Sequence, residues 1–282
     1  MSELKKRIIV GLIGIPLGLL VIYIGGLVFN ILILVVCLMA LFEFYKIAEK
    51  KQYSPNWSLG VVLGCGTIIP YSIFIFHNEI PLIEDMLFGI QVAVGVGLAY
   101  LIVFLLTPVF LLFDKKENYL ARIGVVFTGF FYITLPFFCL VLLRNLEHGF
   151  YYTILTFVSI WICDMAAYFV GSKFGKHRLA PNISPKKSVE GAIAGFITSA
   201  TFFIITSNYL IEISLILSIL LGVIIGILGQ IGDLIESKLK RDAGVKDSSN
   251  LIPGHGGILD RFDSIIFVVP FVYIIIIFFT NL

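Results

Sequence analysis

Residues 27–46 read LVFNILILVVCLMALFEFYK. Only Glu43 and Lys46 carry charge, and both fall in the last four positions. At about 1.5 Å of rise per residue, a helix of this length crosses the roughly 30 Å hydrocarbon core of a bilayer. Lipid offers no partner to a bare peptide group, so such a stretch must satisfy its own backbone by coiling. The pattern recurs. Apolar stretches lie at about 8–26, 27–46, 58–77, 86–112, 123–143, 149–171, 191–211, 213–233 and 264–281, with tight turns expected near Gly25-Gly26 and Glu212. The composition agrees: 59% of the 282 residues are hydrophobic and 13% charged, about half the charged share of a soluble protein. The mean hydropathy is +1.03. Disorder is excluded by the wealth of aromatic and branched side chains. The runs are continuous rather than alternating, which argues against a strand barrel. Cys37, Cys65, Cys139 and Cys163 all sit within apolar runs without a C-x-x-C pair, so they read as packing residues. The first span follows Lys5, Lys6 and Arg7, but it is too long for a signal sequence, lacks an A-x-A cleavage pattern and runs into a second span. The expected fold is therefore all-α: a polytopic integral membrane protein of about nine transmembrane helices.

Charge distribution orients it. Of the 20 Lys and Arg residues, 19 fall on one side of this span map, and only Arg144 falls on the other. By the positive-inside bias the N-terminus is cytoplasmic and the C-terminus outside. No extramembrane domain, low-complexity tract or internal repeat is visible. Residues 1–145 read as about five supporting spans. Residues 146–282 read as a catalytic region with two cytoplasmic loops, 172–190 and 234–263. The pairs Gly60/Gly64, Gly191/Gly195 and Gly222/Gly226 suit close helix packing.

Polar chemistry gathers in that second region. Asp164 lies at membrane depth, where a carboxylate is costly and tends to face a polar cavity. Its face, shared with Tyr168 and Gly171, leads into GSKFGKHRLAPNISPKKSVEG at 171–191. Flexible backbone and the cations Lys173, Lys176, Lys186 and Lys187 suit that loop for phosphate, while Ser188-Val-Glu suits it for a helix cap. Glu43, near the end of its span, reads as snorkelling or pairing with Lys46. Residues 229–264 read GQIGDLIESKLKRDAGVKDSSNLIPGHGGILDRFDS. Asp233, Ser237 and Lys240 fall on one helical stripe beside Arg241, and Asp260 and Asp263 fall on another. Carboxylates with no cysteine and a single histidine, His255, favour a hard cation such as Mg²⁺. The interleaved cations favour a polyphosphate whose charge they share with that metal.

The run SKLKRDAGVKDSSNLIPGHGGILDRFD at 237–263 resembles the signature of the phosphatidate cytidylyltransferase (CDP-diacylglycerol synthase) family along its full length. Gly232-Asp-Leu, Asp164-x-x-Ala-Tyr168, Gly171, Gly175-Lys and Ile183-Ser-Pro-Lys-Lys-Ser-x-Glu-Gly191 also resemble that family. The resemblance implies a nucleotidyltransferase of phospholipid biosynthesis that converts CTP and phosphatidate to CDP-diacylglycerol and pyrophosphate. It implies a bacterial inner membrane location, a site facing the cytoplasm, a homodimer and no nucleic-acid partner. Asp233 and Asp260 would hold Mg²⁺, with Asp263 as a third ligand directly or through water, and with room for a second, monovalent or divalent, cation. Lys240, Arg241 and Lys246 would hold the triphosphate, and Asp164 would belong to the catalytic set. Ser184, Lys186 and Lys187 would close over a phosphate, joined by Lys173, Lys176, Ser237, His255 and Arg261 as substrate contacts. Three rivals stand beside it. A CDP-alcohol phosphotransferase would need a D-G-x-x-A-R pattern that is absent. A polyprenol kinase-like enzyme or related lipid cytidylyltransferase would share the chemistry with another tail. An ion-coupled secondary transporter would use Asp164 and Asp233 as ion sites.

Overall fold

The computed structural model describes residues 3–78, 101, 105–109, 111–112, 117–252, 254 and 256–280. Among the described residues, the elements bounded at both ends are eight helices and one hairpin: α1 (Glu3–Ile24), α2 (Gly26–Lys50), α3 (Trp57–Asn78), α4 (Tyr119–Arg144), α5 (Gly149–Phe174), β1 (Arg178–Ala180), β2 (Ser184–Ser188), α6 (Val189–Leu210), α7 (Leu215–Asp242) and α8 (Leu259–Thr280). Six of these are long and apolar enough to cross a membrane, and two shorter apolar helices cover Val10–Ile24 and Trp57–Ile73. Most of the span expected at about 86–112 lies outside the described residues. Large side chains such as Tyr209 (85% exposed), Leu120, Ile216 and Ile205 cover the outer surface. So broad an apolar exterior suits lipid and would be an aggregation liability in water.

Helices α5, α6, α7 and α8 pack in succession, and α8 returns against α4. Close approach is bought by small residues. A Cβ at Gly195 would stand 2.7 Å from the Cys163 carbonyl oxygen, and one at Gly222 3.0 Å from that of Ala200. The expected turns are present: Gly25 and Gly26 take φ of 66° and 51°, and Glu212 takes 55°. Arg144, the one cation assigned to the far side, donates from Nε to the Ile22 carbonyl (2.6 Å) and from Nη2 to that of Tyr23 (3.1 Å). It thereby satisfies carbonyls that the end of α1 leaves without helical partners. Within α4 the helix widens to a π-turn over Phe130–Thr134, just ahead of Pro136, whose missing N–H breaks the regular ladder.

One departure from the all-α expectation is the antiparallel pair β1–β2, in which Arg178 faces Ser188 and Ala180 faces Ser184. The stretch expected as loop 172–190 is thus shorter and more ordered. α5 continues to Phe174, the chain turns at 181–183, and Ser188 caps α6 by accepting from the Gly191 N–H at 3.1 Å. The four cysteines are unpaired.

Candidate active site

The ends of α5 and α7, the start of α8 and the hairpin meet at one end of the bundle. Gly232 sets the spacing: a Cβ there would lie 2.8 Å from the Asp263 carbonyl oxygen, so α7 and α8 touch next to Asp233 and Asp263. A cleft of about 340 Å³ opens beside them, lined by Asp164, Asp233, Lys240, Asp260, Arg261 and Asp263. Asp247, which the sequence reading did not select, joins this lining from the connecting loop, and Ile160, Trp161 and Ile265 form an apolar wall. Among the lining residues, five aspartates face two cations. The carboxylates of Asp164, Asp233 and Asp263 repel one another across the cleft.

Each acid has its own environment. Asp260 accepts from four groups: the Lys240 ammonium (2.6 Å), the Ser248 N–H and hydroxyl (both 3.0 Å to Oδ2) and the Gly257 N–H (2.8 Å). Lys240, 9% exposed, lies between Asp260 and the buried Glu236, whose Oε2 is 2.5 Å away. Residues 236 and 240 are one turn apart on α7, so this pairing follows from helix geometry. Asp233 pairs with Lys187 of β2 and accepts from the Ser237 hydroxyl at 3.2 Å. Asp263 Oδ1 accepts from the Ser264 N–H at 2.6 Å. Among the described residues, no three His, Cys, Asp or Glu side chains are drawn together tightly enough to hold a metal ion. Asp233, Asp260 and Asp263 therefore share a cleft without forming a closed cage, and ammonium groups neutralise two of the three. The donor set still fits a hard divalent cation, because every acidic group is an oxygen donor and the cleft carries excess negative charge.

Several expected phosphate contacts stand away from this lining. Arg241 is exposed, and its Nη1 donates to the Val245 carbonyl (3.0 Å) past the end of α7. Lys173, Lys176, Lys186 and Lys246 are exposed, and Ser184 is half-buried on β2. His255 lies outside the described residues. Glu190 grips the hairpin stem, accepting from the Lys176 N–H (3.1 Å) and the His177 N–H (3.2 Å) and meeting His177 Nδ1 at 2.7 Å. Glu43 corrects the sequence reading. It is 1% exposed and bonded to the loop before α8, while Lys46 instead lies over the Phe42 ring at 4.6 Å. Its partners are more than 200 positions away, so no local pattern could have shown them.

Fold and cleft together define a helical membrane protein that gathers charge at one end of an apolar bundle. The pattern defining the cytidylyltransferase family matches residues 5–279, and the chain belongs to that family. It is 34% identical over 281 residues to a phosphatidate cytidylyltransferase of Bacillus subtilis (strain 168), covering 98% of each chain. To the phosphatidate cytidylyltransferase of Synechocystis sp. it is 34% identical over 299 residues, covering 95% of this chain and 94% of the relative. A Staphylococcus saprophyticus protein of the same name is 41% identical over 159 residues, covering 56% of this chain and 58% of the relative. Enzymes so named are nucleotidyltransferases, and that is the class of this chain.

Proposed function

We propose that this chain transfers CMP from CTP to phosphatidate, giving CDP-diacylglycerol and pyrophosphate, in a Mg²⁺-dependent reaction at the cleft between α5, α7 and α8. One observation carries the reading. Five aspartates and two cations line a cleft with an apolar wall, in a membrane protein of this family. A triphosphate is repelled by such a surface unless divalent cations accompany it, and the apolar wall suits a substrate whose tails stay in lipid. Asp233 and Asp263 would hold Mg²⁺, together with Asp260 once Lys240 turns to the triphosphate. When bound, the metal supplies charge neutralisation on the phosphoryl oxygens.

The protein's own task is placement. A phosphate oxygen of phosphatidate attacks the α-phosphorus of CTP. The new P–O bond forms as the bond to the β-phosphate oxygen breaks, and pyrophosphate leaves with the electron pair. The attacking phosphate is already ionised near neutrality, so no strong general base is required. Lys240 and Arg261 line the cleft where the two anions would meet, and Lys187 reaches Asp233 from the hairpin. Holding two anions in line is worth much of the barrier. Ser184, Lys186, Ser237, Lys173, Lys176, Lys246, Arg241 and His255 would complete the phosphate and headgroup contacts as the hairpin and loop close.

The cleft would face the cytoplasm of a bacterial inner membrane, the side the Lys and Arg bias selects. Nine spans would follow from the eight described helices together with the apolar stretch read at about 86–112. Residues 146–282 supply the cleft and 1–145 the supporting spans, in a homodimer.

Purified protein in detergent, given radiolabelled CTP, phosphatidate and Mg²⁺, tests this. Label should appear in the organic phase as CDP-diacylglycerol and vanish on chelation. Lipid labelling indifferent to EDTA would remove the metal from the account, and absence of labelling would remove the transfer itself.

A further inference from the structure

Glu43 lies in α2, outside the segment that carries the cleft, yet its carboxylate accepts hydrogen bonds from four groups of the C-terminal half. Oε1 accepts from the Ser249 hydroxyl (2.6 Å) and the Ile258 N–H (3.0 Å). Oε2 accepts from the Ser248 hydroxyl (2.9 Å) and the Leu259 N–H (2.8 Å). A carboxylate that is 1% exposed would be prohibitively costly without such donors. Here three donors and a share of the Ser248 hydroxyl proton take the place of water, and two of the donors are amides at the positive end of α8. The Ser248 hydroxyl stands between two acids, 2.9 Å from Glu43 Oε2 and 3.0 Å from Asp260 Oδ2. It has one proton and donates to one acid at a time, while the Ser248 and Gly257 N–H groups hold Asp260 throughout. Gly257 is explained by the same contacts. A Cβ at Gly257 would occupy the space of Glu43 Oε2 and Ser248 Oγ.

We propose that Glu43 is a positioning residue for the transfer reaction: from α2 it grips Ser248, Ser249 and the amino end of α8, and so fixes where the Asp260 carboxylate stands in the cleft. The proposal rests on the transferase reading above. Glu43 touches no substrate. It acts through the loop, and it makes the N-terminal spans part of the catalytic assembly.

Glu43→Gln is the sharpest probe. Each carboxylate oxygen accepts a backbone N–H whose polarity cannot be reversed. An amide nitrogen on either side therefore faces a donor it cannot accept, and the grip fails although size is kept. Three measurements on the full-length protein in detergent decide the matter: steady-state kinetics, amide hydrogen–deuterium exchange and thermal melting. The expected result is a kcat at least about tenfold lower with the KM for CTP within about threefold of the parent, the pattern of a misplaced reacting group rather than lost binding. Exchange should quicken over residues 248–259 and remain unchanged in α3, α5 and α6. Glu43→Asp keeps the charge and should recover part of kcat. Asn30→Ala, which weakens α2 at its opposite end, should lower the melting temperature and leave kcat intact. The proposal is overturned if Glu43→Gln keeps the parent kcat. It is also overturned if its activity falls only in step with folded protein and exchange rises along every helix. If the parent itself transfers no CMP, the transferase reading fails on its own. Exchange confined to 248–259 in Glu43→Gln would then still support the grip, and unchanged exchange there would overturn it.

Discussion

Asp260→Asn isolates what the carboxylate at the start of α8 does. In the parent, its two oxygens receive the Lys240 ammonium at 2.6 Å, the Ser248 N–H and hydroxyl and the Gly257 N–H. The asparagine amide keeps one oxygen and turns the other position into a donor. If the NH₂ group replaces Oδ1 it meets the Lys240 ammonium, and if it replaces Oδ2 it meets two backbone N–H groups. Either way at least one charge-assisted hydrogen bond is lost, worth about 1.5–3 kcal/mol. At about 1.4 kcal/mol per tenfold, that alone corresponds to a loss of roughly 10- to 150-fold in kcat if the placement matters to the transition state. Loss of a metal-facing oxygen would add to this. The assay is the initial rate of lipid labelling from radiolabelled CTP, with a melting curve to count folded protein. A kcat within about threefold of the parent, in protein that melts normally, would refute the reasoning.

Other perturbations separate packing from chemistry. Gly232→Ala places a methyl 2.8 Å from the Asp263 carbonyl oxygen and should cost about 1–3 kcal/mol of stability along with activity. Gly66→Ala meets nothing within 4 Å and should be neutral or stabilising by about 0.5–1 kcal/mol in the same melting assay. Arg144→Gln removes charged donors from the Ile22 and Tyr23 carbonyls, so detergent melting should show a loss of about 1–3 kcal/mol while CMP transfer persists. Lys187→Ala frees Asp233 of its ion pair and strips the hairpin of its reach to the cleft. The KM for CTP should rise by about tenfold, and a KM equal to the parent's would detach the hairpin from substrate binding.

Much of this architecture is legible in the amino-acid order because lipid leaves few choices. Each apolar run must be a helix, and α2, α5 and α6 begin and end within a few residues of the expected limits. Turns at Gly25-Gly26 and Glu212 announce themselves where the apolar runs abut. The stripe Asp233, Ser237, Lys240 is readable because helical periodicity puts those side chains on one face, and α7 indeed runs on to Asp242. What escapes notice depends on contacts far apart in the chain. Glu43 looks like a residue at a span end, and only the fold brings Ser248 and Leu259 to it. The hairpin escapes for a different reason. Its residues are those of a flexible loop, and its order comes from Glu190 on the next helix gripping the Lys176 and His177 amides. The family resemblance makes Lys240 a phosphate ligand, and its position also makes it the counter-ion of Glu236 and Asp260.

A structure of the protein with a non-hydrolysable CTP analogue and Mn²⁺ in place of Mg²⁺, with the metal located by anomalous scattering, addresses the central claim most directly. The account expects the metal peak in the cleft between α5, α7 and α8, within coordinating reach of Asp233 and Asp263, with the triphosphate against Lys240. A nucleotide bound elsewhere on the bundle, or a metal peak remote from these aspartates, would contradict it.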